Sequence, residues 1–303
     1  MKEFDWERGT TLTKSDFEIK DKVVLVDKFL YTGTVTLIYS PAKQGKTWFG
    51  YALANKISEN DSVKKIFIID MDNNIQTLKD RKVDELLLEN PKIKYTDRAR
   101  IECDPIEHLE KIAKYAHKSI YEGIVFFLET TKDFVRDVDN HNQSNDFIKM
   151  TLRIRDAGGT VILFHHTTKS GRQISGASVW TNSPDNVYEL SQKRRTEGVI
   201  HQMLIPRNCR YLSQEKGFSI YLQELLLKPL DPIIAGMSRE DELFVNKVKE
   251  TLQKHPEGIN QSALFGEIGY KKTDKTARNH LEKFTGDFWH IENGKNNQKI
   301  YKL

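Results

Sequence analysis

Cysteine is scarce in this chain. Only Cys103 and Cys209 occur in 303 residues, in unrelated contexts, with no CxxC pair and no Cys/His ligand spacing. A disulfide framework and a zinc site are therefore not expected, and a reducing, cytoplasmic setting is the plain reading. Long apolar runs are missing too. None approaches the roughly 20 residues that span a bilayer, and the opening Met1-Lys2-Glu3-Phe4-Asp5-Trp6 lacks the apolar core of a signal peptide. A soluble chain with no membrane partner is the expectation. Nor does one sign of charge dominate: 47 Lys and Arg against 43 Asp and Glu leave a formal +4. That balance is compatible with a polyanionic partner without requiring one. No GxGxxG follows any strand-like run, which argues against a flavin or nicotinamide enzyme. Internal repeats and low-complexity tracts are also lacking.

What is present alternates in period. Residues 1–33 are polar and irregular apart from Val23-Val24-Leu25-Val26 and Phe29-Leu30-Tyr31, a lead-in expected to pack against the main domain. Val35–Tyr39, Ile66–Ile69, Ile124–Leu128 and Thr160–Phe164 read as short, continuously apolar strands. Helices are expected from Lys46, through Leu78 and Arg81, over Leu109–Ile120, and over Asp146–Asp156 with Gly158-Gly159 as its stop. Buried strands alternating with helices imply an α/β fold with a parallel sheet covered on both faces. Residues 34–228 are assigned to this domain, ending in strand-like pieces at Asn186–Leu190, Gly198–Ile205 and Phe218–Leu222. Pro229, Pro232 and Gly236 mark a linker over 229–239. Residues 240–303 then read as three short helices followed by a hairpin, the order of a winged-helix domain.

The sharpest motif is Ser40-Pro41-Ala42-Lys43-Gln44-Gly45-Lys46-Thr47, placed directly after a strand and opening a helix. A P-loop needs small or flexible residues so that successive backbone N–H groups point at one anion. It also needs a lysine for the β- and γ-phosphates and a hydroxyl for Mg²⁺. Gly45, Lys46 and Thr47 supply these at the required spacing, and the helix dipole assists. Ser40 stands where the first glycine usually is, which an ordinary backbone angle would permit. Trp48, next in the chain, completes the candidate nucleotide-binding run. ATP and Mg²⁺ are the implied ligands.

Gly33-Thr34-Val35-Thr36-Leu37-Ile38-Tyr39, the loop itself, the acidic turn Asp70–Asn74 and the doublet His165-His166 occur in an order that resembles one family. It is the RecA-fold ATPases typified by RepA-like and DnaB-like hexameric replicative helicases of plasmids, phages and bacteria. The resemblance covers about residues 20–225. It implies a general base at the end of the second strand, with an arginine nine residues on. Asp72 and Arg81 match, although the family carries Glu there, and Asp70 is the alternative base. It implies a Walker B acid at Glu129, where the family has Asp, steadying the Mg²⁺ shell together with Thr47. It implies a γ-phosphate sensor at His166, and a DNA-facing loop after it with Lys169, Arg172 and Ser175 on the backbone. It further implies that Arg207 and Arg210 reach into a neighbouring subunit's site, and hence a ring, most simply a hexamer.

In the C-terminal module, Lys272, Lys275 and Arg278, with Lys271 and His280, lie at or in the third helix, a candidate recognition helix for duplex DNA. Lys295 and Lys299 would lie on the wing. The expected function is an ATP-driven motor on single-stranded DNA, a replicative helicase working beside a primase or polymerase. Two rival readings stand. One is a RecA-fold ATPase that does not unwind, such as a recombination mediator or helicase loader; the other is a DNA-binding regulator with a degenerate ATPase core.

Overall fold

The structure, a computed structural model, describes residues 11–18, 21–117, 119–168, 173–294 and 298–303. Lys169, Arg172 and Lys295 lie outside the described residues. A two-stranded ribbon, β1 (Val24–Val26) and β2 (Leu30–Tyr31), leads into β3 (Val35–Ser40) and α1 (Lys46–Ser58). β4 (Lys65–Asp70), α2 (Ile75–Asp80), β5 (Ile93–Asp97), α3 (Pro105–Lys114) and β6 (Ile124–Glu129) come after them. Next come α4 (His141–Asp156), β7 (Thr160–His166), α5 (Val179–Asn182) and β8 (Asn186–Arg195). β9 (Val199–Cys209), β10 (Lys216–Tyr221), β11 (Leu226–Leu230) and α6 (Pro232–Gly236) complete this part.

Among the described residues these strands form one nine-stranded sheet in the order β11-β10-β9-β8-β3-β7-β6-β4-β5. From β8 to β5 every pairing is parallel. From β8 to β11 the sheet becomes an antiparallel meander. The molecule is thus a mixed α/β protein with a large, mostly parallel sheet, compatible with a RecA-like fold.

Alternation along each strand feeds two cores. Ile38, Ile68, Phe127 and Phe164 point to the face covered by α1, through Phe49, Leu53 and Ile57. Leu37, Phe126, Leu163 and Val187 point to the face covered by α3 and α4, through Leu109, Phe147 and Ile154. Fully burying each such side chain contributes roughly 1.5–3 kcal/mol before entropy is counted. Gly50 is poor for helix propensity, yet it lets α1 lie close on β7: a Cβ there would stand 3.0 Å from the Phe164 ring. Phe29, between β1 and β2, is buried edge-on against Tyr188 at 5.0 Å.

Several boundaries differ from the sequence reading. α3 starts at Pro105 and ends at Lys114, because the Asp104 carboxylate accepts from the Ile106 N–H and Pro105 fills the first turn. α4 starts five residues earlier than expected, at His141, where Asn140 caps it. β5 was not expected: an edge strand alternating Lys94 with partly buried residues carries little apolar signal. The stretch 229–239, expected as a linker, instead holds the end of β11 and all of α6. α6 lies so close on β10 that a Cβ on Gly217 would stand 2.5 Å from that of Ala235.

The C-terminal part has its own core of Phe244, Val248, Leu264, Phe265, Leu281, Trp289 and Tyr301. It contains α7 (Arg239–Lys254), β12 (Ile259–Asn260), α8 (Gln261–Ile268), α9 (Lys275–Lys283), β13 (His290–Asn293) and β14 (Lys299–Lys302). Its small sheet runs β12-β14-β13. Ser238 caps α7 in a reciprocal box with Asp241, whose carboxylate also accepts from Lys283 Nζ at 2.9 Å. An ion pair between Arg194 of β8 and Glu242 of α7 joins this part to the large sheet.

Candidate nucleotide site

β3 lies between β7 and β8, while its next sequence neighbour β4 is separated from it by β7 and β6, so chain connections diverge from the carboxyl end of β3. Crevices at such a switch point are the usual ligand sites of open α/β sheets. The loop 41–45 occupies this position. Two of its residues take the left-handed conformation, Lys43 at φ 63° and Gly45 at φ 74°. The positive φ favours glycine at 45, and a Cβ there would also press on the amide ends of Gln202, at 2.9 Å, and Gln192, at 3.1 Å. Ser40 ends β3 in ordinary extended pairing with His166, which explains why a glycine is not needed there. Gln44 braces the loop from behind: its Oε1 accepts from Gln192 N at 2.9 Å and its carbonyl from Gln202 Nε2 at 2.6 Å.

Lys46, only 6% exposed, opens α1 and folds back over the loop. Its Nζ donates to Ser40 O and Oγ at 3.1 Å, to Pro41 O at 3.3 Å and to His166 Nδ1 at 3.3 Å. Burial lowers this ammonium to about 8. Its partners are neutral oxygens and one imidazole nitrogen, so a dense anion would compete strongly for it. Thr47, one residue on, donates from Oγ1 to Glu129 Oε1 at 2.5 Å. Trp48 is partly buried in the first turn, with the Arg81 guanidinium 5.8 Å from its ring centre.

Glu129 closes β6 beside Asp70 of β4 in the parallel register. It is 3% exposed, and burial, reinforced by the nearby Asp70 charge, pushes its carboxyl up to about 8. A buried acid touching one hydroxyl fits a cation held between them, since Mg²⁺ takes few protein ligands and fills its shell with water and phosphate oxygens. The donor set therefore fits Mg²⁺ held by Thr47, Glu129 and a bound triphosphate.

Asp70 and Asp72 have separate surroundings. The buried Asp70 carboxylate accepts from the backbone N–H of Asp72 at 2.9 Å and of Asn73 at 3.1 Å, from Asn73 Nδ2 at 2.8 Å, and from the Tyr95 hydroxyl. Tyr95 in turn meets Tyr51 at 2.7 Å. Asp72 is half-exposed, lies 3.8 Å from Lys132 Nζ, and lines a cleft of about 450 Å³ with Asn73, Asn74, Asp97 and Arg98. Arg81 donates to Asn73 Oδ1 at 2.9 Å rather than to Asp72.

The histidine doublet divides its tasks. His165 is buried, stacked on Trp180 with centroids 4.6 Å apart, and bonded through Nδ1 to Thr131 Oγ1. Its Nε2 donates to Ser175 O at 2.7 Å. Burial pulls this imidazole down to about 4. His166, likewise near 4 through burial and the Lys46 charge, touches Lys46, while its Nε2 has no partner among the described residues. Ser175 N returns to His166 O at 3.0 Å, next to the antiparallel bridge between Thr167 and Ile174.

Arg207 and Arg210 pair with acids of their own chain. Arg207 pairs with Glu189, its Nε 3.0 Å from Oε2, and Arg210 lies 3.4 Å from Asp185 at the amino-terminal edge of the sheet. Lys272, Lys275 and Arg278 are exposed around the start of α9, with Arg278 Nη2 donating to Lys272 O at 3.2 Å. The third-helix His280 and Lys283 both turn to Asp241.

Gln192, Gln202, Tyr95 and Lys132 were not expected at the site. The first three act by bracing, and only the folded register brings them to the loop or the acidic turn. Lys132 carried one available signal, since it lies three residues beyond the expected metal acid.

No protein-family model and no curated protein matches the chain. Among solved structures it is similar to the flagellar accessory protein FlaH from Methanocaldococcus jannaschii, at 12% identity and a TM-score of 0.47, over 66% of this chain and 90% of that one. A likeness this low assigns no chemistry, which rests on the residues themselves. No helix among the described residues is long and apolar enough to cross a membrane.

Proposed function

We propose that this chain is a Mg²⁺-dependent ATP hydrolase that drives movement along single-stranded DNA, as a replicative helicase of a plasmid, phage or other mobile element. One observation carries the nucleotide half of the reading. A buried lysine and a left-handed glycine open α1 at the carboxyl end of β3, with Thr47 in contact with a buried acid on β6. Backbone N–H groups of residues 43–47 and Lys46 would hold the β- and γ-phosphates. Bound Mg²⁺ would offset charge on the phosphate oxygens. Asp72 is favoured over Asp70 as the acceptor of the water proton, because the Asp70 carboxylate already accepts four hydrogen bonds.

The motor half rests on order and placement. His165 and Ser175 tie the strand beside Lys46 to the Thr167–Ile174 bridge, which gives a change at the phosphate a mechanical path toward the proposed DNA-facing segment. Arg207 and Arg210 would exchange their pairs with Glu189 and Asp185 for the nucleotide of a neighbour in a ring, for which six subunits is the proposed number. Three helices and a small sheet make the C-terminal part a winged-helix candidate, with Lys272, Lys275 and Arg278 as its duplex-DNA contacts. A primase or polymerase remains the proposed protein partner.

The decisive measurement is ATP turnover with and without single-stranded DNA, with light scattering to weigh the assembly. DNA-stimulated turnover by a ring-sized species, followed by strand displacement on forked DNA, is the expected result. Stimulated turnover without displacement would move the reading to a mediator or loader. Folded protein that takes up no ATP in calorimetry would end it.

A further inference from the structure

We infer that Lys132 is a second phosphate-directed cation of the nucleotide site, supplied by the same chain, which exchanges its ion pair with Asp72 for the terminal phosphate when triphosphate binds. The inference rests on the triphosphatase reading and deepens it. After Glu129 the chain makes a tight turn over Thr131–Asp133. The turn is pinned from two sides. Thr130 Oγ1 donates to Asp133 Oδ2 at 2.7 Å, and Thr131 Oγ1 bonds to His165 Nδ1 on the neighbouring strand. Lys132 is thereby set between the ends of β4 and β7, with its Nζ 3.8 Å from Asp72 Oδ1. Its charge is felt at both Lys46 and His166, where it helps to lower each, so Lys132 belongs to the same electrostatic corner.

The ion pair is well suited to exchange. Both side chains are about half-exposed, 47% for Lys132 and 50% for Asp72, and such a pair at 3.8 Å is weak. A terminal phosphate carries more negative charge than one carboxylate and would sit among Lys46, His166 and Thr47. Even with Mg²⁺ beside it Lys46 leaves part of that charge unmatched, and within the same chain Arg207 and Arg210 are paired with Glu189 and Asp185. Moving Lys132 onto a γ-phosphate oxygen does two things. It stabilises charge that develops in phosphoryl transfer. It also releases the Asp72 carboxylate, which then accepts a proton from the attacking water. The water oxygen bonds to the γ-phosphorus, the bond to the β,γ-bridging oxygen breaks, and ADP departs with that electron pair, leaving inorganic phosphate.

A purely structural Lys132 would merely orient Asp72 and never touch nucleotide. ATP carrying an acyl group on its γ-phosphate separates the two, because it acylates only lysines within reach of that phosphate. The amine attacks the acyl carbonyl and ATP leaves. Mass spectrometry is expected to find Lys46 and Lys132 acylated and both protected by excess ATP. Lys46 acylated with Lys132 unmodified, or modified regardless of ATP, overturns the inference while leaving the nucleotide reading intact. Neither acylated means that the nucleotide reading itself fails, and the inference with it. In turnover, Lys132→Met is expected to lower kcat by roughly 10²-fold with KM within about threefold, and Lys132→Arg to recover most of the loss. Lys132→Met protein that folds normally and turns over like the parent also overturns it.

Discussion

Glu129 and Asp185 are both 3% exposed and lie at opposite edges of the same sheet, yet they keep opposite company. Asp185 accepts from Val35 N at 2.9 Å and from Arg155 at 3.0 Å, with Arg210 at 3.4 Å. Glu129 touches the Thr47 hydroxyl and faces a second acid, Asp70. Burial of a saturated carboxylate stitches strand to helix. Burial of an undersupplied one is tolerated only where something else completes it, and that is how the carboxyl edge of this sheet differs from its amino edge.

Substitutions can break or sharpen that contrast. The largest effect is expected from Lys46→Ala, which should lower ATP turnover by roughly 10³-fold or more and remove measurable ATP binding in calorimetry. Glu129→Gln should lower turnover by roughly 10²-fold while the protein stays folded. Its stability should also diverge from the parent with pH. The raised carboxyl of the folded parent keeps its proton up to about 8, whereas the unfolded chain releases it near 4.5. The parent should therefore lose stability relative to the variant as pH rises from about 4.5 to about 8, as read by urea melts. Equal pH profiles would refute the contrast.

Asp185→Ala should do the reverse. Arg155 keeps its pair with Asp156, but Val35 N and Arg155 Nη1 lose their acceptor, which is expected to cost about 2–3 kcal/mol and lower Tm by roughly 5 °C, with turnover per folded molecule nearly unchanged. A smaller effect is expected from His165. Its imidazole is held neutral in the fold, near 4, while the unfolded chain binds a proton near 6.5. Its contribution is fully present above 6.5 and is lost as pH falls toward 4, and His165→Gln should flatten that part of the acid limb. The smallest change is expected from Glu242→Ala, which removes the Arg194 pair between the large sheet and α7. This partly exposed pair should contribute about 0.2–1 kcal/mol, read as a slight shift of the urea midpoint.

The strands that carry the site were legible because each is a short apolar run ending at a polar turn. Tyr39-Ser40, Ile69-Asp70, Leu128-Glu129 and Phe164-His165 all mark the carboxyl edge of the sheet. β11 and α6 were less legible, since Pro229, Pro232 and Gly236 look like breakers in one dimension. In the fold Pro229 sits in the edge strand, where its missing N–H leaves no interior ladder bond unmade, and Pro232 sits in the first turn of α6, where none is required. The bracing glutamines could not be read. Gln192 and Gln202 are 148 and 158 residues from Gln44 and meet it only through the β8–β9 register.

Local chemistry made the candidate phosphate loop legible in the sequence: a glycine, a lysine and a hydroxyl at fixed spacing have few other uses between a strand and a helix. Distance across the chain decided the rest. Which carboxylate is saturated, which is left wanting and which lysine faces Asp72 depend on strand order and burial, because a charge takes its energy from neighbours that are remote in sequence and close in space.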